Sequence, residues 1–290
     1  MRILWVALTI AGMAAAPAIY LHRTAPRRAR TSALEELLRR ENRDLGSLPD
    51  GEKREVEALF WELFPGRRYG GRPVGFEWPC WVARLHPNDP GSPVAIAAVG
   101  PGLYATGQEG IFIGLVDADG NPVWGSESRT GRWMTVERVD WLTPPEIGVP
   151  CIRFEHDCSF TYFAVRDQGV GLVRFESKDH QPSRNYYCRS GVYTVGPAPT
   201  ERTAEEWEGL LFSSDPPDVL QALVWLSGLQ PKPSRRPLPT PNADDRNSDL
   251  FERVIGRGEV IRRIRELRES RNPWIREYAR MAETPTYFSD

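Results

Sequence analysis

Leu115-Val116-Asp117-Ala118-Asp119-Gly120-Asn121-Pro122-Val123-Trp124 decides the class of the fold. Two apolar flanks enclose a short polar run, and Asp119-Gly120 supplies a residue tolerant of positive φ where the chain must reverse. The pattern predicts a hairpin, and strands joined by so short a link run antiparallel. A second reversal is expected at Arg166-Asp167-Gln168-Gly169, between Tyr162 to Val165 and Val170 to Phe175.

Around these hairpins lie short apolar or alternating runs cut by Gly, Pro, Asn and Asp: Val94 to Val99, Gly110 to Val116, Trp133 to Val139 and Cys151 to Phe154. Residues 70–200 therefore read as an antiparallel β domain. Its supply of large rings, from 10 Trp, 9 Tyr and 11 Phe in the chain, suits half-buried strands. The flanks change period. Residues 31–69 read as two amphipathic helices, the first opened by a Ser32/Glu35 capping box and carrying Leu34, Leu37, Leu38 and Leu45. The second repeats Val56, Leu59, Phe60, Leu63 and Phe64 at helical spacing before Pro65-Gly66. Residues 201–290 return to helical periodicity as an α-helical module, interrupted by a Pro-rich loop at 230–242. The expected class is α+β.

Residues 1–30 stand apart. Ile3 to Leu21 carries no charge, and at about 1.5 Å per helical residue it nearly spans a hydrocarbon core of roughly 30 Å. It reads as a signal peptide or a membrane anchor. Ala16-Pro17-Ala18 offers small residues of the kind a signal peptidase cuts. If the segment is kept, Arg23, Arg27, Arg28 and Arg30 outnumber Arg2 before it, which directs the body to the cytoplasm. Those arginines would also strengthen attachment to an anionic leaflet. The cysteines point the other way. Cys80, Cys151, Cys158 and Cys188 are an even set behind an export-like start, and two disulfides in an oxidising compartment are the simplest reading. A bridge between Cys151 and Cys158 across a tight hairpin would leave Cys80 with Cys188, although three pairings exist in all. Buried free thiols, or metal ligation with His156 or His180, are the rival readings; no pair has the two-residue spacing of common zinc knuckles.

In the C-terminal module Val260, Ile261, Ile264 and Leu267 share one helical face, and Asn272-Pro273 opens a last helix with Trp274, Ile275, Tyr278 and Met281. The run from Ile264 to Ala279 resembles the helix, turn and helix of a HEAT-type repeat, with Ile275, Arg276 and Ala279 matching its second helix. The resemblance extends over about residues 218–283, with the Pro-rich interruption as a departure and fewer than the roughly three units a solenoid needs. It implies a packing and contact surface with no chemistry attached, and hence a protein partner on these helices.

Candidate chemistry is sparse. Asp117, Asp119 and Asn121 have the start of a calcium loop, but Trp124 and Gly125 stand where further ligands belong. Gly100, Gly102, Gly107 and Gly110 lack phosphate-loop spacing. His156 and Cys158, two residues apart, would share a strand face, the minimum for an activated nucleophile. Glu155, Asp157, Glu176 and Asp179 include enough carboxylates for a glycosidase pair. The arginines from Arg262 to Arg280 interleave with Glu259, Glu266, Glu269 and Glu277 at ion-pair spacing. A formal net charge of -2 supplies no field toward nucleic acid. No cofactor motif is present. The sequence thus favours a non-catalytic, membrane-associated or exported binding protein with its body outside the cytoplasm; the alternative is an extracytoplasmic hydrolase of carbohydrate or peptide with its site in the β domain.

Overall fold

The computed structural model of the chain describes residues 32–38, 43–44, 48–64, 68–69, 72–73, 79–101, 109–129, 136–183, 202–231, 243–284 and 286–288. They form an α+β protein built on two antiparallel sheets. The first sheet joins β1 (Arg43–Asp44), β4 (Pro79–Arg84), β5 (Val94–Pro101), β6 (Glu109–Val116) and β7 (Pro122–Arg129) in that order. The second runs β11 (Gly169–Ser177), β10 (Ser159–Arg166), β9 (Cys151–His156) and β8 (Val136–Leu142). A small ribbon, β2 (Arg68–Tyr69) with β3 (Arg72–Pro73), lies in the chain between β1 and β4.

Both expected hairpins are present. Between β6 and β7 the Asp117 carboxylate accepts from the amides of Asp119 at 3.0 Å and Asn121 at 2.8 Å, and Asn121 Nδ2 donates to its other oxygen at 2.8 Å. Gly120 takes the positive φ of 78°. The oxygens of Asp117 are thus spent on holding the turn, which explains this acidic run without a cation. Between β10 and β11 the two-residue link ends at Gly169, whose φ is 150°.

Alternation splits the first sheet between two cores. Val94, Ile96, Ala98, Phe112 and Val116 face helices α1 (residues 32–38) and α2 (Asp50–Leu63), where Leu34, Leu37, Leu59, Phe60 and Leu63 meet them. The two N-terminal helices are therefore a cover for this sheet, with β1 between them. Ala95, Ala97, Val99, Ile111, Ile113 and Leu115 face the second sheet, against Ile152, Phe154, Phe163 and Val165. Trp124 Nε1 donates to the Arg166 carbonyl at 2.9 Å and pins one sheet to the other.

The outer side of the second sheet is covered by the C-terminal helices: α3 (Ala204–Leu211), α4 (Pro216–Ser227), α5 (Ala243–Ile255), α6 (Gly258–Leu267) and α7 (Pro273–Ala282). Ten of the twelve residues of α4 are buried, so it is the hub of this layer. Its Trp225 stacks on Trp207 of α3, ring centroids 4.4 Å apart, and takes Phe251 of α5 edge-on. Its Gln221 lies against Gly171 of β11, a position where any Cβ would come within 2.6 Å of the amide. Arg166, at the β10–β11 turn, pairs with Asp215 and Asp218 at the start of α4. Asn272 caps α7 by accepting from the amides of Trp274 and Ile275, with Pro273 in the first turn as expected. A single apolar cluster runs from Trp81 to Ala282, so the β region and the helical region share one core.

After α4 the chain forms β12 (Leu229–Pro231), paired in parallel with β13 (Thr286–Phe288). The rest of the Pro-rich stretch lies outside the described residues. So do Ile3 to Leu21 with Arg23, Arg27, Arg28 and Arg30, and among the described residues no helix is long and apolar enough to cross a membrane.

Candidate functional site

Strand register assembles the densest group of ionisable side chains. On β10, Phe160 stands between Glu155 of β9 and Glu176 of β11, and Tyr162 between Arg153 and Arg174. Asp140 of β8 faces Arg153. Because successive side chains point to opposite faces, all of these project to the outer face, at the end of the sheet beyond the cover of α4.

Arg174 and Glu176 are the buried centre, their side chains only 8% and 3% exposed. Arg174 Nε donates to Glu176 Oε2 at 2.5 Å. The Tyr162 hydroxyl donates to Glu176 Oε1, and His180 Nδ1 lies 3.1 Å from the same oxygen. The Arg174 guanidinium sits 4.4 Å above the Trp274 ring, while Trp274 also meets Tyr162 edge-on. Glu277 of α7 reaches to within 3.5 Å of Arg174 Nη1. The network therefore fastens α7 to β11. Tyr278 reinforces the joint: its hydroxyl donates to the Phe175 carbonyl at 2.5 Å and accepts from the Phe175 amide at 2.7 Å, closing the open edge of the strand as a neighbouring strand would.

Burial alone would raise the Glu176 carboxyl, but the donors Tyr162, Arg174 and His180 outweigh it and hold the group below its usual range. Burial and the neighbouring Glu176 push the Tyr162 phenol up to about 12. At neutral pH the pair is thus a fixed carboxylate and a fixed hydroxyl donor. Around them runs an outer ring of charges. Lys178 donates to Glu155 at 2.7 Å, and Arg153 reaches Asp140 at 2.5 Å. Both cations lie over the Phe160 ring, at 4.9 and 5.1 Å from its centroid. His180 stacks on that ring with an interplanar angle of 10°. It ends the turn after β11 with φ 58°, a left-handed conformation that costs a residue with a side chain roughly 1 kcal/mol. Its side chain is 64% exposed.

Of the carboxylates singled out from the sequence, Glu155 and Glu176 come to one face on either side of Phe160, while Asp157 and Asp179 are exposed in turns. The lysine hydrogen bond keeps Glu155 below its usual range too. Neither carboxyl is a protonated acid at neutral pH, and glycoside hydrolysis needs one that is. His156 and Cys158 do not share a face. β9 ends at His156, which is 1% exposed and turned between the sheets, and Cys158 lies exposed in the turn beyond, where strand alternation has stopped. The bridge expected between Cys151 and Cys158 is not formed: β9 separates the two, and Cys80, Cys151 and Cys158 are free thiols. Cys80 belongs to the core under α1 and α2, and Cys151, beside Ala164 on the face covered by the C-terminal helices, to the larger core, so burial pushes each thiol up to about 12. Cys188 lies outside the described residues. Among the described residues no three His, Cys, Asp or Glu are grouped to hold a metal ion.

Tyr162, Arg174, Arg153, Asp140 and Trp274 escaped sequence reasoning. The available signal was polar residues at alternate positions, Arg174 and Glu176, inside an otherwise apolar strand. No protein-family model matches the chain, and neither a curated protein nor a solved structure matches it.

Proposed function

We propose that the chain is a non-catalytic binding protein, brought to a membrane or exported by Ile3 to Leu21, that presents the uncovered rim of its second sheet, around Glu155, Lys178 and His180, and the adjoining α7 to a protein partner. The observation that carries this reading is the state of Glu176: its carboxylate is spent on Tyr162, Arg174 and His180, leaving a rigid polar surface with no spare base. Rigidity favours recognition, because a face whose side chains are already ordered loses little entropy on binding. The likeness of the α6–α7 pair to a HEAT-type unit supports a contact role for α7. The apolar leader supports a body outside the cytoplasm; the free thiols of Cys80, Cys151 and Cys158 lend that location no support.

Two experiments test the proposal. Cells making the full chain are treated with protease before and after lysis; digestion of the body in intact cells is expected, and protection until lysis would overturn the location. The purified chain is assayed with chromogenic glycosides and peptide substrates. No turnover is expected, and hydrolysis lost in both Glu155→Gln and Glu176→Gln would replace the binding reading with the hydrolase.

A further inference from the structure

His156 closes the strand ladder that carries the candidate site. It is the last residue of β9, and since Glu155 faces Phe160, Ser159 stands beside it on β10. Val136 of β8 pairs with it on the other side. The ring is 1% exposed on the inner face of the sheet. Its Nε2 lies 2.9 Å from Thr161 Oγ1, but Nδ1 is buried with no hydrogen-bond partner. The neighbours on β8 and β10 are uncharged. The charged groups whose fields reach the ring are Asp157, which favours its protonation, and Lys178, which opposes it.

We propose that His156 is an acid-sensitive latch: neutral, it seals the β9–β10 hairpin, and on taking a proton from solvent it drives that end of the ladder open. A neutral imidazole needs only the Thr161 contact. The imidazolium carries two N–H donors, and Nδ1–H has no acceptor where it stands, so the charged ring must reach water. The shortest route is through the Asp157–Cys158 turn. Opening there breaks the Glu155–Phe160 register, and with it the Lys178–Glu155 ion pair and the His180–Phe160 stack. Acid would thus loosen the surface assigned above to recognition. The latch itself stands without that assignment; only its bearing on binding rests on it.

The cost of charging the buried ring lowers its pKa from 6.5 to about 4. A latch that frees the ring to its ordinary value therefore opens roughly twentyfold more often at about pH 5 than at neutrality. Hydrogen exchange of the full chain, corrected for the intrinsic effect of pH, reads this in peptides covering residues 151–166, with β5 and β6 as the internal control. The expected result is a rise of that size in the hairpin alone, absent in His156→Gln, which keeps a polar contact to Thr161 and takes no proton. In the unmodified chain, NMR titration of the His156 ring should show a midpoint well below the ordinary histidine range, a readout that does not depend on a variant folding. Hairpin exchange that stays flat with pH, or a ring titrating near about 6.5, would overturn the proposal.

Discussion

Replacing Gly125 by alanine forces β7 against the end of α2. A Cβ built there lies 2.1 Å from the Leu63 carbonyl oxygen and 2.9 Å from both the Leu63 carbonyl carbon and Phe64 Cε1. Gly114, its partner across the β6–β7 ladder, offers the matching contrast. There an added Cβ meets Leu63 Cδ1 at 2.9 Å and Cδ2 at 3.3 Å, the far end of a side chain that can turn aside. Relief at Gly125 requires the last turn of α2 to retreat by about 1 Å, and overpacking of that kind costs roughly 1–3 kcal/mol or more. The same retreat withdraws Leu59, Phe60 and Leu63 from a core in which all three are essentially fully buried. Alanine recovers about 0.4–1 kcal/mol through the unfolded chain, equally at both sites. The expected net cost is therefore about 3 kcal/mol for Gly125→Ala and at most about 1.5 kcal/mol for Gly114→Ala. Urea denaturation followed by tryptophan fluorescence measures both. Equal costs, or a larger one at Gly114, would refute the reasoning, because only Gly125 faces backbone that cannot rotate away.

The site and the thiols yield three more expectations. Tyr278→Phe strips the Phe175 amide of its acceptor and should cost about 2 kcal/mol of stability in the same assay, with faster hydrogen exchange at β11. Glu176→Gln leaves the buried Arg174 guanidinium with only the more distant, partly exposed Glu277 as an anion and should cost about 3 kcal/mol at neutral pH. The carboxyl is lower in the folded chain than in the unfolded one, so its contribution is present above the ordinary carboxyl range and is lost as pH falls through the folded value. The difference between wild type and variant should therefore shrink in acid, and a difference that grows there would contradict the assigned ionisation. Native protein at neutral pH should react with a thiol reagent at Cys158 while Cys80 and Cys151 stay unmodified until denaturant is added, as peptide mapping by mass spectrometry would show; rapid labelling of either buried thiol would sink the burial argument.

The elements legible in the sequence were those whose cause is local. Asp119-Gly120 announces its turn because positive φ is a property of one residue, and Asn272-Pro273 announces α7 because a cap and a fixed φ act within one turn. Which strands share a sheet is not local: β7 and β8 follow one another in the chain yet belong to different sheets, and nothing between Arg129 and Val136 declares the change. β4 was not read as a strand, because its six residues from Pro79 to Arg84 hold too little alternation to outweigh the proline. Expecting His156 and Cys158 on one face failed for a related reason, since period two holds only while the ladder lasts.

The candidate site was the least legible part because it depends on register. Tyr162 and Glu176 are fourteen positions apart and meet only because the β10–β11 ladder carries an irregularity between Tyr162 and Phe163. Reading Arg174 and Glu176 as outward and charged would have placed them in solvent, where an ion pair contributes almost nothing. Buried beneath Trp274, the same pair becomes the joint between sheet and helix, and the cost of burying it is met by Tyr162 and His180. A charged pair that must be completed by two further strand positions and a strained turn residue discriminates against slipped pairings. Sliding β11 by one residue would turn Glu176 into the apolar interior without a donor.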